Sequence, residues 1–184
     1  MLELKDASLA IGGRQVLSRF SMMAMDGQMT CVTGSAGSGK TLLARVMLGF
    51  QPLDAGLVNI DGALLTQASA PYFRRLIAYV PQVKPVAAVQ WNPGQRQLRG
   101  LDEVWSMADE PTEAVAGVAD TEPDLPPLAS RRVIIADDPV PELLSVLKTL
   151  ANDGRTVVVM SCREEYKNMS DKIITLDNDD NHID

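Results

Sequence analysis

Gly34-Ser35-Ala36-Gly37-Ser38-Gly39-Lys40-Thr41 is the stretch that decides the fold of this chain. Its spacing, Gly-x-x-x-x-Gly-Lys-Thr, is that of a phosphate-binding loop. The preceding run Met29–Thr33 favours β-structure and predicts a buried strand, and helix formers at helical spacing begin at Thr41. A strand, a glycine-rich turn and a helix in this order predict an α/β fold that binds a phosphate ligand.

The loop has the chemistry that a nucleotide with Mg²⁺ requires. Gly34, Gly37 and Gly39 permit positive φ, so successive N–H groups can turn inward at a helix N-terminus, where negative charge is favoured. Lys40 offers a cation to the β- and γ-phosphates, and Thr41 offers a hydroxyl to Mg²⁺. The predicted cofactor-binding residues are Gly34, Ser35, Ala36, Gly37, Ser38, Gly39, Lys40 and Thr41. The alternative is a glycine-rich turn that only packs a helix against a sheet.

Length and charge restrict the class of protein. A chain of 184 residues has room for one α/β domain, and we expect a single nucleotide-binding domain over residues 1–184. The net charge of −7 argues against nucleic-acid binding. No apolar run reaches the length of a membrane span, and the first residues do not resemble a signal peptide, so no direct membrane insertion is expected. Two cysteines, Cys31 and Cys162, suit a reducing compartment, which predicts a cytoplasmic protein.

Strands and helices alternate along most of the sequence, which predicts a mostly parallel sheet. The first two strands are joined by a turn at Gly12-Gly13-Arg14 and predict an N-terminal antiparallel part. From residue 83 to residue 130 the periodicity is lost, apart from one short helix expected at Asp102–Ala108, and we interpret this stretch as an irregular insert. The predicted strands are Leu2–Leu9, Val16–Met25, Met29–Thr33, Leu57–Ile60, Leu76–Val80, Val133–Ala136, Thr156–Met160 and Lys172–Leu176, and the other predicted helices are Tyr72–Arg75, Pro141–Asn152 and Arg163–Met169.

A carboxylate for Mg²⁺ is expected at the end of a strand that neighbours the loop. Asp137 follows the apolar run Val133–Ala136, which is the Walker B pattern, and is the predicted second metal ligand. Asp138 comes directly after it and is placed to orient or deprotonate an attacking water. The alternative is a simple strand-to-helix turn. A rival Walker B ending at 108–112, Ala-Asp-Glu-Pro-Thr, is not preceded by a buried strand.

The ordered set of motifs resembles the ATP-binding cassette (ABC) ATPase family. The likeness runs through Gly12–Leu17, the phosphate loop and Leu48-Gly49 to Tyr79-Val80-Pro81-Gln82, and it resumes from Val133 to Leu176. The resemblance implies a P-loop NTPase sheet, with a mostly parallel core and an N-terminal antiparallel β part, that binds MgATP. It also implies that Gln82 contacts both Mg²⁺ and the attacking water.

Several positions depart from the family pattern. Leu9-Ala10-Ile11 stands where the family has an aromatic residue that stacks on adenine, and Asp138 replaces the catalytic glutamate. Ser161-Cys162 stands near the position where the family has its switch histidine. The D-loop is missing. The signature Leu-Ser-Gly-Gly-Gln is also absent, and its nearest approach is Asn92–Gln97. The stretch from Gln82 to Asp137 is short for the family, which predicts a reduced helical subdomain.

Three functions are compatible with this pattern. The first is an ATP-binding subunit of ABC type whose hydrolysis is weak or depends on a partner. The second is an active ABC transporter ATPase, and the third is a non-catalytic interaction protein that retains the cassette fold. Domains of this family act in pairs, so the resemblance implies a homodimer or pairing with another ABC subunit. A membrane transporter protein is the further partner that would bring the chain to a membrane.

Overall fold

The computed structural model describes residues 1–82 and 131–176, and all structural statements refer to these ranges. The strands are β1 (Leu2–Ile11), β2 (Arg14–Ala24), β3 (Met29–Thr33), β4 (Ala55–Ile60), β5 (Ala63–Leu64), β6 (Ile77–Val80), β7 (Val133–Asp137), β8 (Thr156–Met160) and β9 (Lys172–Thr175). The helices are α1 (Lys40–Met47), α2 (Ala70–Arg74), α3 (Leu144–Asn152) and α4 (Glu164–Met169), and a 3-10 turn at Pro141–Leu143 precedes α3.

Five of these strands form a parallel sheet in the order β6-β7-β8-β3-β9. The inner strands β7 and β8 are buried along their whole length, in agreement with their continuous apolar sequences. The register aligns Asp137 with Met160 and Thr33 with Thr175. The carboxyl ends of the strands therefore meet at one edge of the sheet, which is where α/β sheets bind ligands.

The other four strands form an antiparallel sheet in the order β2-β1-β4-β5. Gly12 and Gly13, with φ of 59° and 82°, make the tight turn between β1 and β2. Leucines on the inner face of this sheet share one apolar cluster with α1 and with the facing side chains of the parallel sheet. Helix α1 thus lies between the two sheets and holds the loop before it in a fixed position.

The opposite face of the parallel sheet is covered by α3 and by Tyr166 of α4, which form a second apolar cluster with β3, β7 and β8. Leu147 and Leu150 are the buried side chains of α3 in this cluster. Val146 was expected on the same apolar side, but it is 38% exposed. Within an α-helix Val146 lies about 100° around the axis from the buried Leu147, so it falls at the edge of the apolar stripe.

The predicted fold class is confirmed: the chain is an α/β protein with a parallel sheet and an antiparallel sheet. The bounds of β3 and β8 are those predicted, whereas the two-residue strand β5 was not foreseen. The insert at 83–130 lies outside the described residues, together with the helix expected at 102–108, the rival acidic motif at 108–112 and the signature-like stretch at 92–97. Among the described residues no helix is long and apolar enough to cross a membrane.

Candidate functional site

The glycine-rich loop between β3 and α1 is shaped by close packing as well as by backbone freedom. Gly37 and Gly39 have φ of 80° and 98°, as predicted. Gly34 was also expected to use a positive φ, but its requirement is steric, since a Cβ there would lie 2.6 Å from the Leu176 carbonyl oxygen. A Cβ on Gly39 would lie 2.5 Å from Cγ1 of Val16. The loop is thus held against β2 and the end of β9.

Lys40 folds its side chain back over this loop. Its Nζ donates to the carbonyl oxygens of Gly34 and Ser35, both at 2.8 Å, and to Oγ of Ser38 at 3.2 Å. All three acceptors belong to the loop, so the ammonium lies over the backbone that the sequence assigns to phosphate. Phosphate oxygens are acceptors of the same kind and carry more negative charge.

Thr41 follows Lys40 in α1, and its hydroxyl contacts the carboxylate of Asp137. Thr41 Oγ1 donates to Asp137 Oδ2 at 2.7 Å, and Asp137 is only 3% exposed. Burial raises the pKa of Asp137, an effect that the Thr41 hydrogen bond opposes and the charge of Asp138 reinforces. Burial and the adjacent Asp137 charge raise the pKa of Tyr79 to about 12, so its hydroxyl stays protonated beside that carboxylate.

Asp138 is held by groups from both neighbouring strands. Its Oδ1 accepts from Ser161 Oγ at 2.8 Å and lies 3.5 Å from Nε of Arg163, and both residues follow β8. Its Oδ2 lies 3.4 Å from Nε2 of Gln82, which follows β6. The backbone of Asp138 is left-handed, with φ of 42°, and its N–H donates to Met160 O at 2.7 Å.

These residues fit a nucleotide with Mg²⁺. Thr41 Oγ1 and Asp137 Oδ2 are hard oxygen ligands, and they lie at the neighbouring ends of α1 and β7. A divalent cation would stabilise the buried charge of Asp137. No group of three or more His, Cys, Asp or Glu side chains that could hold a metal ion occurs among the described residues. Mg²⁺ usually binds through one or two carboxylates together with phosphate oxygens and water.

The structure brings together most of the residues singled out from the sequence. The loop, Thr41, Asp137, Asp138 and Gln82 lie at one edge of the parallel sheet, but Gln82 contacts Asp138 rather than the Thr41–Asp137 pair. Cys162 is exposed. Tyr79, Ser161 and Arg163 were missed. The signal for Tyr79 and Ser161 is their position at the ends of the two strands that flank β7.

Comparison with known proteins points to one family. A sequence model described as "ABC transporter" matches residues 17–133. The Fe(3+) ions import ATP-binding protein FbpC 2 of Pectobacterium atrosepticum is 39% identical over 84 residues, which cover 45% of this chain and 24% of that protein. The aliphatic sulfonates import ATP-binding protein SsuB 2 of Burkholderia cenocepacia is 32% identical over 94 residues, or 51% and 34% of the two chains. These matches thus span about a quarter to a third of the relatives' length.

Solved structures give the same indication for the fold. A nucleotide-free ATP-binding cassette from an ABC transporter superposes with a TM-score of 0.64 at 16% identity, covering 95% of this chain and 87% of that one. A dimeric cassette in a post-hydrolysis state with ADP and Pi superposes with a TM-score of 0.65 at 19% identity, covering 95% and 94%. At this identity the likeness concerns the fold alone.

Proposed function

This chain belongs to the ABC transporter family, and from that membership and its site we propose that it is an ATP-binding subunit of ABC type. The observation that carries the proposal is the hydrogen bond between Thr41 and Asp137 at the end of an intact phosphate loop. A glycine-rich turn that served packing alone would not need a buried carboxylate beside the first helical hydroxyl.

Each part of the site has a role in holding MgATP. The N–H groups of residues 34–39 and the Lys40 ammonium would bind the β- and γ-phosphates, with Lys40 exchanging the loop carbonyls for phosphate oxygens. Thr41 and Asp137 would hold Mg²⁺, which neutralises charge on the phosphates when bound. Ser38 packs against the backbone of Gly34, since a Cβ on Gly34 would lie 2.7 Å from Ser38 Oγ.

We further propose that hydrolysis is weak or depends on a partner. Asp138 is the group placed to take a proton from water, but its side chain is one methylene shorter than the glutamate expected there. Both of its carboxylate oxygens already face other groups, Ser161 and Arg163 on one side and Gln82 on the other. A displacement of the base by about 1 Å can reduce the rate about 10²-fold.

The names of similar proteins support the partners that we propose. The relatives are ATP-binding proteins of import systems, and a solved neighbour is dimeric. We therefore propose that this chain acts as one domain over residues 1–184 and pairs with a second copy or another ABC subunit. A membrane transporter protein would recruit this subunit from the cytoplasm. A non-catalytic interaction protein is the alternative.

Binding of ATP tests the central proposal. Calorimetric titration should give Mg²⁺-dependent ATP binding that Lys40→Ala abolishes, whereas Lys5→Gln, which removes a charge from an exposed position of β1, should bind as the wild type does. Circular dichroism should confirm that both variants are folded. A wild-type protein without measurable affinity at millimolar ATP would refute nucleotide binding and favour the interaction protein.

The rate of ATP hydrolysis distinguishes an ATP-binding subunit of weak or partner-dependent activity from an active ATPase. Phosphate release by the purified protein should fall well below the rate of about 10 s⁻¹ that is typical of enzymes. Hydrolysis at such a rate by the chain alone, lost in Asp138→Asn, would instead identify an active ATPase. Addition of a candidate partner subunit then tests whether the rate depends on pairing.

A further inference from the structure

Arg163 contributes a positively charged side chain to the site from outside the phosphate loop. Its Nε lies 3.5 Å from Asp138 Oδ1, one position beyond the Walker B carboxylate Asp137. Arg163 follows β8, whose register places Met160 beside Asp137, so its side chain reaches the same edge of the sheet as the loop. Among the described residues, Lys40 on the α1 side and Arg163 on the β8 side thus both bring a cation to the site.

The two groups that hold Oδ1 of Asp138 differ in how firmly they are fixed. Ser161 is fully buried and makes a hydrogen bond of ordinary length, 2.8 Å. The distance from Arg163 Nε to Asp138 Oδ1 is longer than the 2.7–2.9 Å of a strong charge-assisted hydrogen bond, and the Arg163 side chain is 40% exposed. Arg163 can thus leave Asp138 while Ser161 keeps the carboxylate in place.

A terminal phosphate would be the stronger partner for this guanidinium. It presents three acceptor oxygens in a geometry that matches the guanidinium fork, and it carries more charge than a carboxylate. An arginine pair that is partly exposed contributes little to stability, so little is lost when it breaks. The exchange would need only rotation of a solvent-facing side chain.

We propose that Arg163 recognises the terminal phosphate of the bound nucleotide, by exchanging its contact with Asp138 for a contact with the γ-phosphate. The inference rests on the proposed function, since it requires a nucleotide in the loop. It assigns to Arg163 the discrimination between a nucleoside triphosphate and a diphosphate. It also couples that discrimination to Asp138, whose Oδ1 loses one of its two partners when Arg163 moves.

Titration with MgATP and MgADP tests this assignment without any requirement for turnover. Arg163→Gln should weaken MgATP binding about tenfold and leave MgADP binding within about twofold, because only the triphosphate has the terminal group. Arg163→Lys, which keeps a charge but loses the planar fork, should recover part of the ATP affinity. Lys5→Gln is the charge-matched control and should change neither.

The outcomes separate the two proposals. Equal affinities of wild type and Arg163→Gln for MgATP, with normal binding in the loop, would overturn the role of Arg163 and leave the ATP-binding function intact. Equal weakening of ATP and ADP would identify a general electrostatic or structural effect and would also overturn it. A wild type that binds neither nucleotide overturns both proposals. Melting temperatures of the variants show whether a loss of affinity follows from unfolding.

Discussion

The Thr41 hydroxyl lies 2.7 Å from Oδ2 of Asp137, a residue 96 positions further along the chain. The bond joins the first turn of α1 to the end of β7, so the two oxygens expected to bind Mg²⁺ are already adjacent. Pre-assembly of this kind reduces the free energy that ligand binding must supply to order the site.

Removal of the hydroxyl alone should separate metal binding from loop shape. Thr41→Val keeps the branched side chain but removes one of the hydroxyl groups that face the buried Asp137, and we expect a loss of about 1–3 kcal/mol in folding free energy. The Mg²⁺-dependent part of ATP affinity should fall about tenfold, or about 1.4 kcal/mol. Thr41→Ser should retain both properties within about twofold. Equal behaviour of the two variants in a Mg²⁺ titration would contradict the assignment.

The glycines of the loop should differ in what they tolerate. Gly37→Ala meets no heavy atom within 4 Å and should lose only the about 1–2 kcal/mol of a left-handed backbone. Gly39→Ala adds a contact of 2.5 Å with Val16 and should lose at least about 1 kcal/mol more in urea unfolding. The extra loss should shrink in a Val16→Ala background. If it persists there, Val16 is not its source.

Two buried threonines allow the contribution of a side-chain hydrogen bond to the free energy of unfolding to be measured. Thr30 Oγ1 has no hydrogen-bond partner among the described residues, so Thr30→Val should raise the free energy of unfolding by about 1 kcal/mol. Thr156 is equally buried, but its hydroxyl donates to Asp26, and Thr156→Val should lower stability by about 1.5–3 kcal/mol. Chemical denaturation of both variants checks the sign. Destabilisation by both would mean that Thr30 has a partner in solution.

Much of the fold follows from the sequence because its signals are local. The apolar runs of β3 and β8 predict buried strands, and the glycine-lysine-threonine pattern predicts the turn and the start of α1. Contacts between distant segments are not encoded in this way. The partners of Asp138 illustrate the limit: Ser161 and Arg163 reach it only because β8 pairs with β7, and neither residue belongs to a pattern.

Stability should depend on pH through Asp171. Its pKa is lowered by the hydrogen bond from Lys148 and then by the bond from the Met29 N–H, so its ionised form is favoured by folding. The stabilisation is present above the ordinary value of 3.8 and is lost as the pH falls through the lowered folded value.

Asp171→Asn should therefore lower the free energy of unfolding by up to about 1 kcal/mol at pH 7, with a difference from wild type that shrinks towards pH 3. Urea titrations at several pH values measure this difference. Asp153→Asn removes the same charge from a more exposed position, 60% against 37%, and should change stability by less than about 0.5 kcal/mol. A pH-independent loss in Asp171→Asn would show that the effect does not come from ionisation of Asp171.

The position of β3 within its sheet has a consequence for biosynthesis. Both neighbours of β3, β8 and β9, come from the last part of the chain, and Cys31 contacts Ser161 across 130 residues. The antiparallel sheet, in contrast, is complete by Leu64. At about 5–20 residues per second, the ribosome needs on the order of ten seconds to deliver β8 after that point. During this interval neither edge of β3 has the strand with which it pairs, so the nascent chain is a candidate for protection by chaperones.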